Sequence, residues 1–141
     1  MAAGEKIFVD TSVLVHAHDL DSGLKRAIAE QVLQQLWQDE TGVLSAQVLQ
    51  EFYAALTGAV ASPVPRRAAR ELIHAYGVWA VVTLDAADVL AASDFEERYR
   101  LSFRDALIVT AARKSGATLI LSDALQPYRP ITGLELQNPF A

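Results

Sequence analysis

Asp10, Glu51, Asp105 and Asp123 are the residues of this 141-residue chain whose surroundings suit joint chemistry. Asp10 closes the run Lys6-Ile-Phe-Val-Asp10, and Asp123 stands just past the run Thr118 to Leu121. Both runs are short, apolar and partly β-branched, which predicts buried strands. In an open parallel α/β sheet, ligands collect beyond the carboxyl ends of the strands, which is where these two acids fall. Asp105 sits in the first turn of a predicted helix whose next seven residues, Ala106 to Ala112, are apolar except for Thr110. At about 100° per residue, Val48, Leu49, Phe52, Tyr53 and Leu56 form one helical stripe, and Glu51 falls outside it, toward a cleft rim.

Four carboxylates gathered in one place repel, so the group must take up protons or a cation. An all-oxygen set favours Mg2+ or Mn2+. Replacing Asp10 or Asp105 by asparagine is then expected to end activity and keep the fold, and without metal to raise stability by relieving repulsion. Each acid also has a purely local explanation: Asp105 as the far end of a Ser102 capping box, Asp123 as the cap of a short turn, Asp10 as a loop residue, Glu51 as an exposed one.

The elements that must position them alternate between strand and helix. After the first strand, Ser12 to Asp19 reads as helical, and Leu24, Ile28, Val32, Leu33, Leu36 and Trp37 recur at helical spacing until Gly42. Val43 to Ser45 is a second strand, with Ser45 placed to cap the helix that carries Glu51. Gly58 to Pro65 reads as a turn. Pro65 opens a helix to about Tyr76 that Gly77 stops. Val78 to Leu84 is a strand, Asp85 caps a helix ending near Arg100, and Ser102 opens a helix through Lys114 that Gly116 closes. Leu134 to Gln137 is a short final strand. Continuously apolar strands alternating with helices predict an α/β fold with a mainly parallel central sheet covered on both faces, in a single domain over residues 1–141.

Composition narrows the function classes. The chain is 52% hydrophobic and 21% charged, as folded globular proteins are. No apolar run reaches the roughly 20 residues of a membrane span, and Met1 to Asp10 lacks the pattern of an export signal, so a cytoplasmic location is expected. The absence of cysteine excludes disulfides and thiolate catalysis. A net charge of -5 argues against gripping nucleic acid by bulk positive charge. Lys25/Arg26, Arg66/Arg67/Arg70, Arg98/Arg100/Arg104 and Arg113/Lys114 are short basic groups that could help locally or simply be solvated helix faces.

Four segments together carry a family resemblance. Phe8-Val-Asp10-Thr-Ser-Val-Leu-Val15, Ser45-Ala-Gln-Val-Leu-Gln-Glu51-Phe-Tyr, Ser102-Phe-Arg-Asp105-Ala-Leu-Ile108 and Leu121-Ser-Asp123-Ala-Leu-Gln126 resemble, in order and spacing, the motifs of PIN domains, particularly VapC-type toxins. The resemblance implies a three-layer α/β/α fold and an acidic pocket that binds Mg2+ or Mn2+. It implies hydrolysis of RNA phosphodiesters, with an antitoxin as partner; the oligomeric state stays open, with a homodimer as one assembly. It assigns metal ligation and catalysis to Asp10, Glu51, Asp105 and Asp123, with Thr11, Ser12 and Ser122 as supporting polar residues. Arg104 departs from the pattern, because many relatives place an aromatic residue before this aspartate; it is a candidate for contacting a phosphate or for pairing with Asp105.

Rival readings exist. An aspartate-based phosphatase would use Asp10 as nucleophile, but Ser12 stands where such enzymes usually carry a second aspartate. A phospho-receiver module is weakened by the lack of a lysine after Thr118 to Leu121. A non-catalytic interaction module on the same PIN fold is disfavoured by the presence of all four acids. His16 and His18 are separated by two positions and so point apart on a helix, which argues against a joint metal site. Trp37, Phe52, Tyr53 and Phe95 read as core at helical spacing rather than as base-stacking residues.

Overall fold

A computed structural model describes residues 4–141, so the first residues of the Met1 to Asp10 stretch lie outside the described region. Five strands, β1 (Ile7–Val9), β2 (Gly42–Ser45), β3 (Ala80–Val82), β4 (Leu119–Leu121) and β5 (Glu135–Gln137), form one sheet in the order β3-β2-β1-β4-β5, and every pairing is parallel. The helices are α1 (Thr11–His18), α2 (Leu24–Asp39), α3 (Ala46–Ala54), α4 (Arg66–Tyr76), α5 (Ala86–Tyr99) and α6 (Phe103–Ser115). From β1 the chain steps to β2 and then β3 in one direction, and then crosses back to β4 on the other side of β1. With right-handed crossovers, this reversal puts α1 to α4 on one face and α5 with α6 on the other. The result is the expected three-layer α/β/α sandwich.

The central strands are apolar because both of their faces are covered. Ile7, Phe8, Val9, Leu44, Ile120 and Leu121 are almost completely buried, and α6 contributes Ala106, Ile108, Val109, Ala111 and Ala112 to the same core. The predicted caps are present: Ser45 accepts from the Val48 amide, Asp85 and Asp88 form a reciprocal capping box, Ser102 accepts from the Asp105 amide, and Gly116 takes the left-handed conformation that ends α6.

Three boundaries differ from the sequence reading. Helix α2 ends at Glu40 in the left-handed conformation, not at Gly42. Gly42 instead opens β2, and its missing side chain makes room for the Trp79 ring, whose nearest atom would lie 2.2 Å from an added Cβ. Strand β3 is shorter than Val78 to Leu84, because the amides of Val78 and Trp79 are held in a turn by the carbonyls of Ala75 and Tyr76. The turn expected from Gly58 begins as a π-helical extension of α3 over Ala55–Ala59, closed by the bond from the Val60 amide to the Ala55 carbonyl.

Candidate functional site

The point where the strand order reverses lies between β1 and β4, and an open parallel sheet forms its ligand crevice beyond the carboxyl ends of the strands at such a point. Asp10 leaves β1 at this point and is only 2% exposed. Its Oδ1 accepts from the Thr11 amide at 2.7 Å, and its Oδ2 accepts from the Ser122 hydroxyl at 2.7 Å across the crevice. Ser122 Oγ in turn accepts from the amides of Ala124 and Leu125, which folds the segment after β4 back over the site.

Glu51 and Asp105 reach the same place from α3 and α6. All three acids meet on Arg104. Its Nη2 donates to Asp10 Oδ1 at 2.7 Å, to Glu51 Oε1 at 2.5 Å and to Thr11 Oγ1 at 3.0 Å. Its Nη1 donates to Asp105 Oδ1 at 3.0 Å and Asp10 Oδ2 at 3.3 Å, and its Nε faces both oxygens of Glu51. Thr11 Oγ1 donates to Glu51 Oε1 at 2.6 Å, and Gln47, one turn before Glu51, donates to Oε2 at 3.3 Å. Burial alone would raise the Glu51 carboxyl, but the hydrogen bonds from Arg104, Thr11 and Gln47 and the charge of Arg104 outweigh it and hold the group below its usual range. Burial alone would likewise lower the Arg104 guanidinium; its bonds to Glu51, Asp10 and Asp105 raise it instead, so it stays charged.

Asp123 stands apart from these three. His16 Nε2 lies 3.2 Å from its Oδ2, and the other ring nitrogen of His16 lies 2.8 Å from Ser22 Oγ, which donates to Asp19. His18 turns the other way, to the Tyr76 hydroxyl, and burial holds its ring below the usual histidine range. The two histidines do diverge. Phe52 and Trp37 belong to an edge-packed aromatic cluster with His18, Tyr76 and Trp79. Ser12, also singled out in the sequence, has a buried hydroxyl without a partner among the described residues.

The structure therefore brings Asp10, Glu51, Asp105, Thr11, Ser122 and Arg104 together and holds Asp123 at the rim on His16. Among the described residues, no three acidic or histidine side chains stand close enough as placed to share one metal ion. Around a guanidinium they are spread wider than around a metal. The donor set still suits a hard cation: it is all oxygen, it carries three negative charges, and it already surrounds one cation. Two contributors escaped the sequence reading. Gln47 was detectable as the residue one helical turn before Glu51. His16 was not, because nothing local links it to Asp123, 107 residues away.

The α/β sandwich with an acidic crevice at its switch point defines a class, and sequence comparison supplies the family. The family model described as PIN domain matches residues 7–126, and the chain belongs to that family. No curated protein sequence matches the chain. Solved structures with the same fold include a toxin-antitoxin complex from Klebsiella pneumoniae, at 18% identity and a TM-score of 0.69, covering 96% of this chain and 98% of that one. VapC20 from Mycobacterium tuberculosis, described as a sarcin-ricin loop cleaving toxin, matches at 23% identity and a TM-score of 0.63, covering 82% and 87%. VapBC2 from Rickettsia felis, bound to a DNA fragment from its promoter, matches at 16% and 0.65, covering 94% and 97%.

Proposed function

We propose that the chain is a VapC-type endoribonuclease, dependent on Mg2+ or Mn2+, that acts as the toxin of a toxin-antitoxin pair. The observation that carries this reading is the convergence of Asp10, Glu51 and Asp105 on a single cation at the sheet's switch point. Family membership supports nuclease chemistry, and the similar folds described as a sarcin-ricin loop cleaving toxin and as toxin-antitoxin complexes support RNA as substrate and an antitoxin as partner.

In this reading, Asp10, Glu51 and Asp105 hold the ion, and Asp123 completes the acidic rim from the β4 side. A divalent ion at this place would lower the pKa of an attacking water and neutralise charge on the phosphate. The chain's own residues supply position. Ser122 and the Thr11 amide fix both oxygens of Asp10, Thr11 and Gln47 fix Glu51, and the Ser102 cap fixes the helix turn that bears Asp105. Arg104, on the same turn, supplies a cation able to meet a phosphate at the crevice mouth. A cytoplasmic location and a homodimer are part of the proposal; among the described residues no helix is long and apolar enough to cross a membrane.

Incubating the purified chain with a panel of structured RNAs tests the reading. Cleavage is expected with Mg2+ or Mn2+ and is expected to stop in excess chelator; cleavage that continues unchanged in chelator, from protein free of contaminating nuclease, would refute it. Titration with a co-purifying small protein encoded nearby is expected to suppress cleavage.

A further inference from the structure

We propose that Arg104 is a built-in counter-cation of the acidic site, which occupies the place of the metal ion and must leave before the metal enters. The inference rests on the metal-site reading above and adds a step to it. The guanidinium uses every edge of its fork. Nη2 bridges Asp10, Glu51 and Thr11, Nη1 bridges Asp10 and Asp105, and Nε closes on Glu51. The carboxylate oxygens that would bind an ion are thus the ones that accept from Arg104.

Simultaneous occupancy is excluded by size and by charge. Oxygens around Mg2+ lie at about 2.0–2.1 Å from it, whereas the oxygens here lie 2.5–3.3 Å from separate nitrogens of a planar group. The acids have to close inward by an ångström or more to grip an ion, and the guanidinium fills the space into which they would close. A cation in the ring also repels an incoming one. Departure is nevertheless feasible. The Arg104 side chain is 35% exposed, on the first turn of α6 at the crevice mouth, so it can swing into solvent without disturbing the core. Apparent metal affinity is then reduced by the fraction of molecules in which the arginine is out.

Direct binding of Mn2+ to the full-length chain at pH 7.5, followed by the paramagnetic resonance signal of free Mn2+, tests this in the wild type, R104Q, R104K and E51Q. R104Q is expected to bind at least about tenfold more tightly than wild type, which corresponds to an open fraction of about one in ten or less. R104K, which keeps a charge and loses the fork, is expected to fall between them. As a second readout, Mg2+ added to the wild type is expected to shift one arginine Nε–H resonance, identified by its absence in R104K; this readout decides the matter if R104Q does not fold. Equal or weaker Mn2+ binding by R104Q, with binding still lost in E51Q, would overturn the counter-cation and leave the metal site standing. Absence of Mn2+ binding in wild type and R104Q alike would overturn the metal site and the counter-cation together.

Discussion

Replacing Asp10 by asparagine tests the energetics of the clamp most directly. Four donors meet the two Asp10 oxygens: the Thr11 amide and Arg104 Nη2 at Oδ1, and the Ser122 hydroxyl and Arg104 Nη1 at Oδ2. Asparagine retains one acceptor. In its best orientation the carbonyl keeps the Thr11 and Nη2 bonds, and the new NH2 group faces Ser122 and Nη1. The Nη1 contact becomes donor against donor, and Ser122, already accepting two amides, can no longer donate to residue 10. Losing a buried charge-assisted bond costs about 1.5–3 kcal/mol. Relief of repulsion with Glu51 and Asp105 offsets part of this, but Arg104 already screens those pairs. We expect a net loss of about 2 kcal/mol in metal-free buffer, which at a typical slope of about 2 kcal/mol per molar lowers the urea midpoint by about 1 M. This is the opposite sign from the stabilisation expected when only the four acids are considered. The double-mutant cycle sharpens the test: in an R104Q background the acids face one another uncompensated, and D10N is expected to stabilise. An unchanged or higher midpoint for D10N alone would refute the clamp as a source of stability.

Three further outcomes follow. Because the folded-state carboxyl of Glu51 lies below its usual range, it binds protons less readily than in the unfolded chain, so its contribution is present at neutral pH and is lost as pH falls through the folded-state value. Urea titrations are therefore expected to show E51Q less stable than wild type at pH 7, with the gap narrowing below about pH 4; a gap independent of pH would contradict this. Gly42→Ala forces a Cβ against the Trp79 ring and is expected to cost about 1–3 kcal/mol and lower Tm by several degrees, yet spare RNA cleavage because β2 begins at the end of the sheet away from the acids; an unaltered Tm would be a failure. Ser122→Ala removes the hydroxyl that orients Asp10 and is expected to weaken Mn2+ binding about 10–100-fold with the fold intact by circular dichroism; undiminished binding would exclude that supporting role.

Much of the scaffold was legible in the residues because its signals are local. Ser45, Asp85 and Ser102 cap the helices that they precede, since a side-chain oxygen there can satisfy an amide three positions on. The apolar runs before Asp10 and Asp123 marked central strands because parallel sheets bury both faces. What stayed hidden depends on distant parts of the chain. Gly42 resembles a helix stop, and only the Trp79 ring, from the turn before β3, explains its size. Arg104 stood out in the sequence as an odd neighbour of Asp105, but its bonds to Asp10 and Glu51 span 94 and 53 residues and arise only when α3, β1 and α6 meet. The attachment of Asp123 to His16 is hidden in the same way.

The placement of β4 between β1 and β5 has a consequence in time. Ser122, the partner of Asp10, is synthesised 112 residues after it, and β1 has no neighbour on that side until Leu119–Leu121 arrive. At about 5–20 residues per second, the interval is roughly 6–22 seconds. Throughout it, Ile7-Phe8-Val9 is an open apolar edge and the acids lack their common frame. If the chain is the ribonuclease proposed above, a ribosome part-way through the message carries a chain that cannot yet cut RNA, including the RNA being translated. On the same reading, the interval also lets the proposed antitoxin meet the nascent chain before its first turnover.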